Sequence, residues 1–167
     1  TMTSIAEALG LVLPGGSSIP AADANHIRLA TQTGRRIVEM VWADVKPSDI
    51  LSRQSFDNAI AAAMAMGCST NAIVHVLAMG RRAGFDVGLD DFDRIGRRGP
   101  VIANIRPNGE TYLMEDFYYA GGLKAMLKNI EMHLHGEAMT VNGKSIGENI
   151  STAKVYDDDV IRGIDNP

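Results

Sequence analysis

Two adjacent acids, Glu115 and Asp116, stand near the head of the run Met114-Glu115-Asp116-Phe117-Tyr118-Tyr119-Ala120-Gly121-Gly122. Such a pair can act as general base, as metal ligand or as orienter of another group. A structural role competes with these, because acids at the start of a helix beginning near Met114 complement its dipole. The neighbours favour a site-lining role: two of the chain's four Tyr residues follow, and a double glycine closes the run. Each glycine costs about 1 kcal/mol relative to Ala inside a helix. A close approach to the backbone, or a sharp turn, is therefore expected there.

The second chemical segment is Gly67-Cys68-Ser69-Thr70-Asn71-Ala72. A glycine-led elbow that feeds a helix presents unpaired backbone N–H groups, and the helix dipole favours an anion at that end. Ser69, Thr70 and Asn71 add hydroxyl and amide donors, so a carboxylate or phosphate would suit the elbow. An ordinary helix–helix turn with a Ser or Thr cap has the same composition. Cys68 lies near the same helix start, where a thiol pKa can fall and a nucleophile can form. It is equally a small apolar residue that packs well, and no partner base is identifiable.

Other polar groups carry less. His26, His75, His133 and His135 show no metal-ligand spacing. His75 lies inside an apolar helical pattern, where a hydrogen-bonded core residue is expected. The acidic stretch Asp90-Asp91-Phe92-Asp93 lacks the glycine and terminal Glu of a calcium loop, and suits a solvated helix start. The glycine pairs match neither a phosphate-binding loop nor a dinucleotide fingerprint.

Helices must position these groups. Ser4 to Leu9 forms a short one that Gly10 stops. From Ala21 or Ala22 to about Ala43 a long helix is expected. Ile27, Ala30, Ile37, Val38, Val41 and Trp42 line its apolar face, and Gly34 marks a possible bend. Ser52 caps a helix carrying Phe56, Ile60, Ala63 and Met64 on one side. Ser69 or Thr70 caps the next, with Ile73, Val74, Leu77 and Ala78 toward the core. Leu89 to Ile95 and Leu123 to about His133 are two more. Val101 to Ile105 and Ala138 to Val141 are strand candidates, each followed by an Asn-Gly turn signal. From Ser145 onward the tail looks irregular. The fold class expected is α/β: helix-rich, with a few-stranded sheet flanked by helices.

Composition bounds the rest. The chain has 167 residues, 46% hydrophobic and 22% charged, enough for one domain with a real core. Its formal net charge is -4 with signs interleaved, and aromatics are 5%, which argues against nucleic-acid binding. Its nine methionines suit adaptable core filling. One cysteine excludes an internal disulfide and any multi-cysteine metal site within the chain. No apolar stretch approaches the roughly 20 residues that span a bilayer, so no membrane partner is expected and cytoplasm is the default location. The chain opens on Thr1-Met2-Thr3 and stops on Asp165-Asn166-Pro167. The expectation is an excised piece of a longer protein, with residues 1–167 forming a single partial domain.

Four segments together resemble one family. They are Thr1-Met2-Thr3-Ser4 with Ala6-Glu7-Ala8-Leu9-Gly10 and Leu13-Pro14-Gly15; Ser69-Thr70-Asn71-Ala72 with His75; Tyr112 through Gly122; and Thr140-Val141, Gly143-Lys144 and Gly147-Glu148-Asn149. In this order they are similar to the dihydroxy-acid and sugar-acid (aldonate) dehydratases, over nearly the whole chain. Asp116-Phe117-Tyr118-Tyr119 and the ending from Asp159 to Pro167 look more like the aldonate branch.

The resemblance implies a hydro-lyase that turns a 2,3-dihydroxy acid, here a sugar acid, into a 2-keto-3-deoxy acid. It implies an iron-sulfur cluster and magnesium, with a metal stabilising the departing hydroxyl while a base takes the C2 proton. It also implies an α/β N-terminal domain, of which this is the later part, and a homo-oligomer, dimer or tetramer. The family's three cluster cysteines have no counterpart here, and Cys68 stands where the family usually shows glycine. The magnesium-binding acids and a modified lysine belong to earlier sequence, and the proton-abstracting serine to a second domain. The chain alone is therefore expected to be inactive, with Ser69, Thr70, Asn71, Glu115 and Asp116 lining the cavity around substrate and cluster. Dihydroxy-acid dehydratase of branched-chain amino-acid synthesis is the runner-up. A non-catalytic acid-binding or assembly domain is the remaining alternative.

Overall fold

Side chains just before a helix or three residues into it close most of the helix starts, and glycines set several of the ends. The computed structural model describes residues 1–167. It contains nine α-helices: α1 Met2–Ala8, α2 Ala24–Trp42, α3 Pro47–Ile50, α4 Arg53–Met66, α5 Thr70–Ala83, α6 Leu89–Gly96, α7 Met114–Tyr119, α8 Gly122–Asn129 and α9 Ile146–Ile150. Short 3-10 turns occur at Gly16–Ser18 and Glu131–His133.

α4 is the central post. Ser52 caps it reciprocally with Ser55: the Ser55 N–H donates to Ser52 Oγ at 3.1 Å, and the Ser52 N–H to Ser55 Oγ at 2.9 Å. Its alanines let α1 and α6 approach closely, and these are its most extensive neighbours. The expected one-sided face is too narrow, for Phe56 and the stretch from Asn58 to Ala63 are buried all around the helix. With Phe56, the residues Phe117, Leu123, Met126, Ile130 and Ile161 are among the largest fully buried side chains of the core.

No β-sheet forms, so the α/β expectation is overturned: the chain is all-helical, with three isolated bridges, Ala103–Ile161, Ile105–Tyr112 and Met139–Ser145. The reason lies in where the backbone hydrogen bonds go. In the first strand candidate, Ile102 and Ala103 N–H both donate to the Ala65 carbonyl at the end of α4, at 2.9 and 3.2 Å. Asn104 N–H donates to the Val160 carbonyl at 3.0 Å. In the second, Thr140 N–H folds back to Lys144 and Val141 N–H reaches Gly10 at 2.8 Å. Each segment spends its donors on a helix end, a loop or itself, and no neighbouring strand is left to pair.

Three further expectations change. α2 runs unbroken through Gly34, and its apolar stripe faces solvent: Ile27 is 74% and Trp42 86% exposed. Only Met40 on this helix is buried. α5 turns its small residues inward (Ala72, Val76 and Gly80), leaving Val74 and His75 exposed. A methyl group on Gly80 would sit 2.7 Å from Val87, so that close contact selects the face. The tail also gains a helix, α9, capped by Ser145 and Glu148: Glu148 N–H donates to Ser145 Oγ at 3.2 Å, and Ser145 N–H to Glu148 Oε2 at 2.8 Å.

Candidate functional site

The elbow is built by the end of α4. Gly67 takes the left-handed conformation, φ 67° and ψ 61°, which closes the helix. Its carbonyl accepts from the Asn108 side-chain amide at 2.6 Å, and an added Cβ would lie 2.3 Å from that same nitrogen. Glycine is thus favoured by conformation, and any side chain here would have to displace Asn108. Ser69 is the N-cap residue of α5, yet its side chain makes no capping bond, which leaves the hydroxyl available. Thr70 and Asn71 are exposed in the first turn. Cys68 is half-buried, and burial pushes its thiol pKa up, so the thiol form prevails at neutral pH. That removes the support for a nucleophile.

Asp116 does what a helix-start acid does: its carboxylate accepts from the Leu113 N–H at 2.7 Å and closes the first turn of α7. Glu115 is exposed beside it. The double glycine answers to packing. Gly121 has φ 122°, and a Cβ there would meet the Lys154 carbonyl at 2.5 Å; Gly122 has φ 63° and lies against Ser18. Both the sharp turn and the close approach are therefore real, and neighbouring chain supplies the approach. Tyr118 and Tyr119 stack edge to face, with ring centres 5.1 Å apart, and the Asn25 side-chain amide donates to Tyr118 Oη at 3.0 Å.

The loop between Asn104 and Tyr112 joins the two segments. Asn108 holds the elbow, while Tyr112 precedes α7 and donates through its hydroxyl to Asp159 at 2.8 Å. That bond, with the acids around it, raises the Tyr112 pKa. Ser69, Thr70, Asn71, Glu115 and Asp116 line none of the five main clefts.

Two clefts with charged residues in their walls escaped the sequence reading. One, of about 210 Å³, lies between α4 and α6 and is lined by Asp57, Arg94, Arg98, His133 and His135. The other, of about 300 Å³, is lined by the Pro14–Gly16 loop, Arg28, Tyr118, Gly121, Gly122 and Lys124. Glu7 braces that loop, accepting from Gly15 N–H at 2.6 Å and Ser17 N–H at 2.8 Å, while burial pushes its carboxyl pKa up against those bonds. A lone acid inside Ile5-Ala6-Glu7-Ala8-Leu9, ahead of a glycine-rich loop, was the signal for it.

A cluster of iron and sulfur takes several thiolates, and magnesium takes carboxylate oxygens. This chain has a single thiol and nowhere gathers three His, Cys, Asp or Glu closely enough to hold a metal ion. Its residues do not fit either group by themselves. No helix is long and apolar enough to cross a membrane.

Residues 1–149 match the family described as Dihydroxy-acid/6-phosphogluconate dehydratase N-terminal. The chain belongs to this family. Among its dehydratase relatives, the 6-deoxy-6-sulfo-D-gluconate dehydratase of Pseudomonas putida is 50% identical over the whole chain, which covers 29% of that protein. The L-arabinonate dehydratase of Rhizobium leguminosarum bv. trifolii is 47% identical over 93% of the chain and 27% of its own length. The dihydroxy-acid dehydratase of Acetivibrio thermocellus is 43% identical over the whole chain and 30% of its own length. The chain thus spans less than a third of the relatives it matches.

Proposed function

We propose that the chain is the later part of the N-terminal domain of a hydro-lyase that dehydrates a sugar acid to a 2-keto-3-deoxy acid. In that reaction the C2 proton is lost, the C3 hydroxyl leaves as water, and the resulting enol relaxes to the 2-keto acid. The observation that carries this reading is the identity of 50% and 47% to two relatives named for sugar acids. Dihydroxy-acid dehydratases at 41–46% favour a second reading, the branched dihydroxy acid of amino-acid biosynthesis.

In this proposal Ser69, Thr70 and Asn71 offer donors to the substrate carboxylate at the start of α5, where the helix dipole adds positive potential. Glu115 and Asp116 face the substrate's hydroxyl side, as acceptors. Ligands for an iron-sulfur cluster and for magnesium come from residues outside 1–167. The enzyme works in the cytoplasm as a homo-oligomer, dimer or tetramer, which light scattering on the full-length protein tests. Steady-state assays of the full-length enzyme on L-arabinonate, D-xylonate and 2,3-dihydroxyisovalerate test the chemistry. Turnover of a sugar acid in preference to the branched acid is expected, and the opposite preference overturns the first reading.

A further inference from the structure

The cleft of about 300 Å³ beside the Pro14–Gly16 loop carries charge of one sign: Arg28 and Lys124 line it, and no Asp or Glu does. Two acids of the neighbouring chain are already engaged. Glu7 lies behind the loop with both oxygens taken by the Gly15 and Ser17 N–H groups, and Asp23 accepts from the Asn25 N–H at 2.7 Å. Lys124 is half-buried, yet its ammonium has no hydrogen bond and no ion pair within the chain. A lysine withdrawn from water normally takes a partner. Its stem lies across Gly15, where a Cβ would be 3.3 Å from Cε and 3.8 Å from Nζ; with φ 84° as well, glycine keeps that position clear.

The neutral donors of the cleft are unspent too. Arg28 Nη1 donates to the Asn25 side-chain oxygen at 2.8 Å, and the Asn25 amide donates to Tyr118 Oη at 3.0 Å. These two bonds fix which way Asn25 faces and make Tyr118 an acceptor, so its own proton is free to give. A cation at the head of such a chain polarises it, and the last hydroxyl becomes a stronger donor. Arg28 keeps most of the five N–H donors of a guanidinium. Ser18 repeats the arrangement: it is 5% exposed, and its Oγ accepts from the Leu123 N–H at 3.2 Å and donates to nothing in the chain. Gly122 preserves that hydroxyl, since a Cβ there would come within 3.1 Å of it.

We propose that this cleft is an oxyanion site, in which Lys124 and Arg28 supply the charge, and Tyr118 and Ser18 the neutral donors, for a carboxylate, phosphate or sulfonate group. A neutral sugar hydroxyl would leave both cations uncompensated, and a metal ion would be repelled by them. A cleft walled by one sign of charge also concentrates anions before contact. The group arrives either on the enzyme's own acid substrate or as a separate small anion, and both present the same oxygens. A substrate-borne group rests on the sugar-acid reading above; a separate anion does not.

Calorimetric titration of the full-length enzyme with phosphate, methanesulfonate and acetate, at an ionic strength held constant with chloride, tests the site. At least one of the three should bind, with a dissociation constant on the order of 1 mM. Lys124→Gln should weaken that binding about tenfold and Tyr118→Phe about fivefold, each with an unchanged far-ultraviolet CD spectrum. Lys128→Gln is the control: its ammonium pairs with Glu131 and does not line the cleft, so the affinity should not move. Repeating the titration at saturation with the sugar acid that the enzyme turns over reads the source. Binding that is lost marks the substrate's own group, and binding that persists marks a separate anion. No binding of any of the three, or binding indifferent to both Lys124→Gln and Tyr118→Phe, overturns the oxyanion site. Neither result bears on turnover, which the steady-state assays read separately.

Discussion

Asn58 and His135 exchange two hydrogen bonds: the Asn58 side-chain amide donates to the His135 carbonyl at 3.0 Å, and its oxygen accepts from the His135 N–H at 2.7 Å. Asn58 is fully buried on α4, so this exchange ties the central helix to the loop that follows α8. Replacing it with Leu keeps the volume and strands both backbone groups. Asn58→Leu should cost about 2–4 kcal/mol, seen in urea unfolding as a lower midpoint at unchanged slope. A midpoint equal to wild type would show that water satisfies the loop instead.

The elbow supports a double-mutant cycle. Gly67→Ala forces a left-handed residue, at about 1–2 kcal/mol, and also pushes on the Asn108 amide that Gly67 now contacts. Asn108→Ala loses the bond to the Gly67 carbonyl. Because the two changes share one contact, their costs should depart from additivity by at least about 0.5 kcal/mol. Additive unfolding energies would mean that the loop does not hold the elbow.

Acid stability should depend on Asp91. Burial works to raise its pKa, but the Gly88 N–H and the guanidinium groups of Arg94 and Arg53 outweigh that and lower it from 3.8 to about 2. The folded value lies below the unfolded one, so the stabilisation is fully present above about pH 4 and is lost as pH falls toward 2. Asp91→Asn should flatten the acid limb of a pH titration followed by CD in that window. An unchanged limb would assign acid unfolding to other carboxylates.

Function should separate from stability at the proposed lining residues. Asn71 and Glu115 are exposed, so Asn71→Ala and Glu115→Gln in the full-length enzyme should leave Tm in place. Each should lower kcat/KM by about 10- to 100-fold. Asp116→Ala should lower both, since its carboxylate also caps α7, a bond of about 1 kcal/mol. Wild-type kcat/KM in all three would remove these side chains from the cavity.

The helix ends and starts that carry these segments were legible residue by residue, but what surrounds them was not. Gly67, Ser69 and the Met114 run sit at a helix end and two helix starts, where their local chemistry puts them. What the double glycine is for could not be seen from its spacing, because the atoms that crowd it, Lys154 and Ser18, are far away along the chain. Glu7 was passed over for the same reason: its partners, Gly15 and Ser17, are met only once the loop folds back.

Helix ends depend on contacts three or four residues apart, so Ser52 with Ser55 and Gly67 at its left-handed cap already stand in the linear order of residues. The Ser145-x-x-Glu148 box was written there as well and overlooked. Which way a helix faces is another matter. α2 carries a clear apolar stripe, yet Leu29, Arg36 and Met40 dock it and the stripe remains in solvent; α5 is turned by the fit of Gly80 against Val87. The two strand-like segments reached only isolated bridges, because carbonyls at Ala65 and Gly10 took N–H groups that a longer ladder would need. Local sequence governs interactions that close within one turn, whereas facing and pairing depend on partners brought together across the chain, which no short window contains.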